Sequence, residues 1–351
     1  MTNVKPKTVA QKRTRRGRKS KEELVLNLDA DGSKQLELWE DTNKQLPAIK
    51  DDMSTMQFPF FSISNKVDTR IRSFSRDGNI LRIYPSAVGC PTQSDKDVLI
   101  FLASILARAN FKNRQDYLVK RRIRVRVSDF AKVTRRSRGN LTPKLLLNSL
   151  RRLSGVRLET NIRNDMSSES HGFSYIDEYK IVESNKSQDG IIECEVVLSE
   201  WFAQHIVDLN LLTLNDDYFS LSPTEKRVYE LVRKFCGTQR LWKISLGVLA
   251  DYMGVDTEHG LRYFRRAIRK IVKEGKIPDY FLYFDPKLDQ LVCFKGPFGD
   301  VYSWVLQDTE RWEWYSSLEH KEFNVNDPID VVAKEKKNEI EENNLESKKK
   351  K

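Results

Sequence analysis

One order of elements is written twice along this chain, and that repetition restricts the fold more than any other feature. Val228, Leu231, Val232 and Phe235 recur at helical spacing over residues 224–235. A short strand follows at 242–244, and Ser245 stands as the cap of a helix carrying Val248, Leu249 and Tyr252. A third helix runs through 260–273, and strands at 280–284 and 290–294, joined through Asp285-Pro286, close a hairpin.

The same order is expected upstream. Strands are expected around 58–64 and 80–84. A helix over 95–109 then contains Val98-Leu99-Ile100-Phe101-Leu102-Ala103, apolar nearly all round, as a central buried helix should be. Ile123, Val125 and Val127 alternate as a strand, and Ser128 is placed to cap the next helix. Thr142-Pro143 marks another helix start, with Leu146, Leu150 and Leu153 on one face and Gly155 at its end. Three β-like runs follow at 156–162, 173–182 and 191–198. Leu150-Arg151-Arg152-Leu153 matches Ile268-Arg269-Lys270-Ile271, the mark of a diverged internal duplication. Helix, strand, helix, helix, hairpin is the order of a winged helix. The expectation is an α+β chain of two tandem winged-helix domains, 58–200 and 201–318. A disordered basic arm with an acidic linker (1–57) precedes them, and a charged, disordered tail (319–351) follows. Trp304, Trp312, Trp314 and Tyr315 are expected to pack back on the second domain.

Charge gives this frame a partner. The chain carries a formal net charge of +11 over 351 residues, which favours an anionic ligand, nucleic acid before acidic membrane. The distribution says more than the sum. Residues 1–21 hold nine bases and no acid, and 22–60 hold three bases and nine acids. Residues 108–163 carry 17 bases against 3 acids, 164–223 reverse to 2 against 12, and 224–276 return to 13 against 6. Two basic blocks around an acidic one suggest two DNA-facing units. The acidic block is expected to point away from DNA and to meet other proteins.

Within the second basic block, Arg262, Arg265, Arg266 and Arg269 share one helix face, with Lys273 beyond them. Leu261, Phe264, Ile268, Ile271 and Val272 supply the face that packs. An ordinary solvated face would place acids at i±4 throughout, and Glu258, ahead of Arg262, is the only one there. Such a helix fits the major groove, where Arg pairs with guanine edges or phosphates. In the first block, Arg135, Arg136 and Arg138 flank a helix N-terminus, a place that holds phosphate. Lys144, Asn148, Arg151 and Arg152 are candidates for base or backbone contacts. Lys120, Arg121, Arg122, Arg124 and Arg126 on the preceding strand are expected to add to the same field.

Covalent chemistry finds no footing in these residues. Gly275-Lys276 lacks the rest of a phosphate-binding loop. His171, His205, His259 and His320 are isolated, so neither a metal nor a nickase site is expected. Glu193 and Glu195 read as a solvated strand edge. The four cysteines are scattered and read as reduced cytosolic thiols. No apolar run is long enough to span a bilayer. We therefore expect no catalytic residues, no cofactor, no metal, no membrane partner and a bacterial cytoplasmic location with plasmid or nucleoid DNA.

A set of residues then points to a family. Tyr218-Phe219-x-Leu221, Glu225, Arg227, Tyr229-Glu230-Leu231, Arg233-Lys234 and Cys236-Gly237 resemble the signature of plasmid replication initiator protein A. Phe60-Phe61-Ser62-Ile63-Ser64, Leu198-Ser199-Glu200-Trp201, residues 264–271 and Ile277-Pro278-Asp279-Tyr280 resemble it too. The resemblance covers about residues 58–295. It implies an initiator of two winged helices that binds repeated origin sequences, or iterons, in double-stranded DNA. Such an initiator recruits host helicase and polymerase machinery, takes part in plasmid copy control and can repress its own promoter as a homodimer. The competing expectations are a plasmid-borne transcriptional repressor without a replication role, and a nicking enzyme.

Overall fold

The computed structural model describes residues 36–37, 48–108, 121–137, 141–162, 170–183, 191–208, 210–237, 239, 241–255 and 257–295. The arm at 1–21, Arg138, Trp304, Trp312, Trp314, Tyr315, His320 and the tail from 319 lie outside them, as does the side chain of His259. The fold is mixed α/β.

The C-terminal half follows its sequence pattern closely. Helix α6 (Pro223–Phe235) begins with Ser222 and Glu225 satisfying each other's backbone N–H groups, with Pro223 in the first turn where no N–H is needed. Val228, Leu231 and Val232 are buried, as their spacing requires. Strand β11 (Leu241–Ser245) leads into α7 (Leu246–Tyr252), whose first turn Ser245 caps by accepting from the Val248 N–H. Helix α8 (Thr257–Glu274) follows, then β12 (Tyr280–Asp285) and β13 (Gln290–Lys295). These strands form an antiparallel sheet in the order β11-β13-β12.

The N-terminal half is more elaborate than one hairpin domain. It opens with β1 (Leu36–Glu37), β2 (Lys50–Asp52) and α1 (Met53–Gln57). Strands β3 (Arg72–Arg76) and β4 (Asn79–Tyr84) precede the central helix α2 (Gln93–Arg108). Strand β5 (Arg122–Arg126) runs straight into α3 (Val127–Val133), and α4 (Leu141–Gly155) follows. Then come β6 (Arg157–Thr160), β7 (His171–Phe173), β8 (Ile176–Glu183) and β9 (Ile191–Leu198). Helix α5 (Glu200–Val207), β10 (Leu211–Thr213) and a 3₁₀ turn at Asp216–Ser220 connect to α6. The strands divide between two four-stranded sheets, β3-β4-β6-β7 and β1-β5-β9-β8, while β10 pairs with β2.

Four expectations need correction. Residues 58–64 are not a strand. Phe58, Phe60 and Phe61 all turn inward, Phe61 stacking on Tyr175 at 5.3 Å, and only Ser62 makes a β-bridge, to Thr92. A strand alternates its side chains between two faces, and three aromatics with one destination cannot. Ser128 caps nothing, because β5 passes into α3 without a loop and Arg126 holds the cap position. Residues 48–57, assigned by their charge to a linker, are built into the fold, with Ile49 and Met56 buried and β2 paired to β10.

The fourth correction concerns charge. Arg121, Arg122, Arg124 and Arg126 do not present a free basic field. Arg121 pairs with Asp177, and Arg122 pairs with Glu195 and Glu178. Arg124 reaches Glu195 at 3.5 Å, and Arg126 reaches Glu193 at 3.3 Å. Register explains it: Arg124 lies opposite Glu195 and Arg126 opposite Glu193 across β5 and β9. Glu193 and Glu195 therefore sit on an interior strand, Glu195 buried, and are no solvated edge. Four acids of the acidic block, Asp177, Glu178, Glu193 and Glu195, thus neutralise the basic strand beside them.

A buried charged cluster joins the two halves. The Lys96 ammonium on α2 lies 2.7 Å from Asp51 and 2.9 Å from Glu230 of α6. Glu230 also accepts from Tyr218 (2.7 Å) and Arg227 (3.0 Å), and from Gln93. Arg227 donates to the carbonyls of Thr55, Met56 and Gln57, and to that of Tyr252. Those are carbonyls at the C-terminal ends of α1 and α7, which have no partner within their own helices. Beside them Asp97 accepts from Lys226 at 2.8 Å and from Arg136 at 2.8 Å. Desolvation raises the Asp51 carboxyl to about 7, outweighing the neighbouring Lys96. Removing one member of such a set strands its partner in low dielectric, at a cost of about 3–5 kcal/mol. The signature residues Tyr218, Arg227 and Glu230 are thus a joint between halves.

Candidate nucleic-acid interface

Two helices each carry several exposed basic residues that are in no ion pair with another described residue; elsewhere such residues, Lys66, Lys132, Arg157, Lys180 and Lys243 among them, are scattered. Phe264, Ile268, Ile271 and Val272 bury one side of α8, each contributing about 1.5–3 kcal/mol of burial. The opposite side exposes Arg262, Tyr263, Arg266, Arg269, Lys270 and Lys273. Arg262, Arg266 and Lys273 make no ion pair with another described residue. The Arg269 guanidinium lies 4.7 Å over the Phe284 ring of β12, a cation–π contact, while the side chain remains exposed. Lys270 approaches Glu274 at 3.4 Å.

Arg265 differs from the expected base reader. It grips Asp289 with both nitrogens, at 3.0 and 2.7 Å, and this carboxylate holds the guanidinium above its usual range. Asp289 has a left-handed backbone (φ 48) in the turn between β12 and β13, and its carbonyl accepts from the Leu246 N–H. Arg265 therefore ties the hairpin to α8 and to the start of α7.

The first block is thinned in the same way. Arg136 bonds Asp97 and the Ser94 carbonyl, and Arg152 makes two 2.7 Å bonds to buried Asp95. Arg135, with a positive φ of 54, meets Asp217 and Ser220. These three arginines serve the fold. Their acidic partners lie dozens of residues away in the chain, so no local pattern announces them. Lys144, Asn148 and Arg151 stay exposed on α4, with no ion pair or side-chain hydrogen bond to a described residue.

The survivors coincide. A shift of 118 places Lys144 on Arg262, Asn148 on Arg266 and Arg151 on Arg269. The same shift superposes buried Leu146, Leu150 and Leu153 on buried Phe264, Ile268 and Ile271. It also brings Leu145 onto Tyr263, two exposed apolar side chains absent from the expected site. The repeat itself was their only signal.

Among the described residues no group of three or more His, Cys, Asp or Glu side chains could hold a metal ion. His205 is buried, 2.9 Å from Asp52 and packed on Trp201. All four cysteines are free and buried, and burial pushes the Cys194 thiol up to about 12. No helix of the described residues is long and apolar enough to cross a membrane.

A chain with this pattern of signature residues is that of a replication initiator, and comparison with known proteins agrees. Residues 50–282 match the family described as Replication initiator protein A, and the chain belongs to that family. A Wigglesworthia glossinidia brevipalpis protein named as a replication protein is 30% identical over 243 residues, which is 69% of this chain and 86% of that one. Two crystal structures of domains 2 and 3 of RctB are also similar. One, of selenomethionine derivatives, has a TM-score of 0.47 at 12% identity over 67% of this chain and 94% of that one. The other has a TM-score of 0.43 at 11% identity over 71% of this chain and 99% of that one.

Proposed function

We propose that this initiator binds double-stranded DNA through two tandem winged helices, a diverged duplication, with α4 and α8 entering the major groove. The observation that carries this reading is the coincidence of two unpaired polar faces, Lys144/Asn148/Arg151 and Arg262/Arg266/Arg269, at one register of an otherwise diverged repeat. Leaving like charges side by side on a helix is unfavourable without an anion to meet them. Lys and Arg serve phosphates and guanine edges, and Asn148 has the paired donor and acceptor that suit adenine. Two tethered helices reading successive grooves would cover about two turns, roughly 20 bp.

In this reading the target is a set of direct repeats at a plasmid origin. Host replication proteins are recruited there, and a homodimer acts on the initiator's own promoter. The chain performs no covalent chemistry on the DNA. Footprinting on the DNA flanking its own gene tests the assignment. Protected direct repeats of about two turns, lost when Arg262, Arg266 and Arg269 are replaced by Ala, are expected. Protection of an inverted promoter repeat alone would favour a repressor without a replication role. A nicked product from supercoiled origin DNA with Mg²⁺ would overturn the claim that it does no chemistry.

A further inference from the structure

The two basic faces share a feature that phosphate binding does not need. Leu145 is 46% exposed and Tyr263 is 74% exposed, each one residue after the first base of its face and three before the second polar residue. Leu141, one turn before Leu145, is also exposed. Other apolar positions of these helices, Leu146, Leu150, Leu153, Phe264, Ile268 and Ile271, are buried. Exposing a large apolar side chain forfeits its burial energy, and both halves do so at the same register. The side chains flanking them are Lys144, Asn148, Arg262 and Arg266, so whatever covers the pair must offer apolar groups set among acceptors and negative charge. The major groove of DNA does so at thymine, whose 5-methyl group projects beside the base acceptors and below the phosphates. A second protein copy would bring the same cations against themselves.

We propose that Leu145 and Tyr263 are specificity-determining residues that contact thymine methyl groups, one in each half of the DNA site. This assignment rests on the DNA-binding reading above. It makes the recognition of each half a combination of charge from Lys144/Arg151 or Arg262/Arg269 and shape from the residue between them. Asn148 and Arg266 then read the neighbouring base edge, and the two halves prefer thymine at corresponding places in their half-sites.

The test uses the full chain and duplexes selected from a random-sequence pool by binding to it. Each selected duplex is resynthesised with deoxyuridine in place of thymidine, which removes the methyl group and leaves the pairing and hydrogen-bonding edges intact. The wild-type protein should lose about fourfold in affinity per methyl contacted, from the removal of one buried carbon. Tyr263→Ala and Leu145→Ala should each lower affinity for the thymine duplex and lose sensitivity to uracil in one half-site only. Sequence-specific binding by the wild-type chain with no response to uracil would overturn the assignment while leaving the DNA-binding reading intact. If the variants bind both duplexes as the wild type does but no longer self-associate, the pair serves a second copy and the assignment fails. If no sequence is selected from the pool, the DNA reading falls, and this inference falls with it.

Discussion

Strand β5 and helix α8 are both studded with arginine, yet they do opposite things with it. On β5, Arg122, Arg124 and Arg126 meet Glu193 and Glu195 of the neighbouring β9 and Glu178 of β8 beyond it. On α8, Arg262, Arg266 and Arg269 face outward, and among these arginines and the described residues only Arg265 meets a carboxylate, Asp289 on the hairpin turn. Local charge density is similar in the two stretches. What separates a structural arginine from a ligand-facing one is whether the fold returns an acid to it, and that is decided by topology over dozens of residues. The 118-residue repeat carries the same distinction into α4, where Arg152 is claimed by Asp95 and Arg151 is not.

The comparison is broken most severely at its buried extreme. Replacing Glu230 with Gln should destabilise the chain by about 3–5 kcal/mol, because Lys96 and Arg227 would be left without their shared carboxylate. Urea denaturation measures this. A loss under about 1 kcal/mol would mean that the cluster is wet and is no joint.

Stability against pH examines the same cluster. Asp51 is raised on folding from 3.8 to about 7. Between those values the folded chain binds more protons than the unfolded one, so its stability falls as pH rises through the window. Asp51→Asn should remove that component and flatten the urea midpoint between about pH 4 and about pH 7. An unchanged slope in the variant would assign the dependence to other groups.

Unpaired residues should behave in the reverse sense. Arg266→Ala or Asn148→Ala should cost about 1–3 kcal/mol of specific DNA binding where a bidentate base contact is lost, with no comparable loss of folding stability. A variant that unfolds and still binds specifically at low temperature would show the residue to be structural. The smallest effect is expected on β5. Arg126 is half exposed and meets Glu193 at 3.3 Å, so Arg126→Ala should change stability by at most about 1 kcal/mol.

Sequence reading reached the second half well because its signals are local. The apolar spacing of α6, the Ser245 cap of α7, the apolar runs of β12 and β13 and the apolar stripe of α8 all lie within or beside one element. It failed where the deciding partner is distant. Arg136, Arg152 and Arg265 have the spacing of ligand-facing residues and are claimed by Asp97, Asp95 and Asp289. Phe60 and Phe61 resemble strand residues but fill the core around Tyr175. Residues 48–57 look like linker because Asp51 and Asp52 are charged, and only Lys96 and His205 explain their burial. The family signature was legible as a pattern, but its role as a charged joint was not.

The central claim is that pairing, not charge density, marks the DNA-binding surface, and the salt dependence of binding tests it most directly. Affinity for origin DNA should be measured against salt concentration for the wild type, for Arg262/Arg266/Arg269→Ala and for Arg122/Arg124/Arg126→Ala. Each lost phosphate contact lowers the slope of log affinity against log salt by about 0.9. The account predicts a clearly shallower slope for the α8 variant and the wild-type slope for the β5 variant. Equal slopes in the two variants, or a larger change from β5, would contradict it.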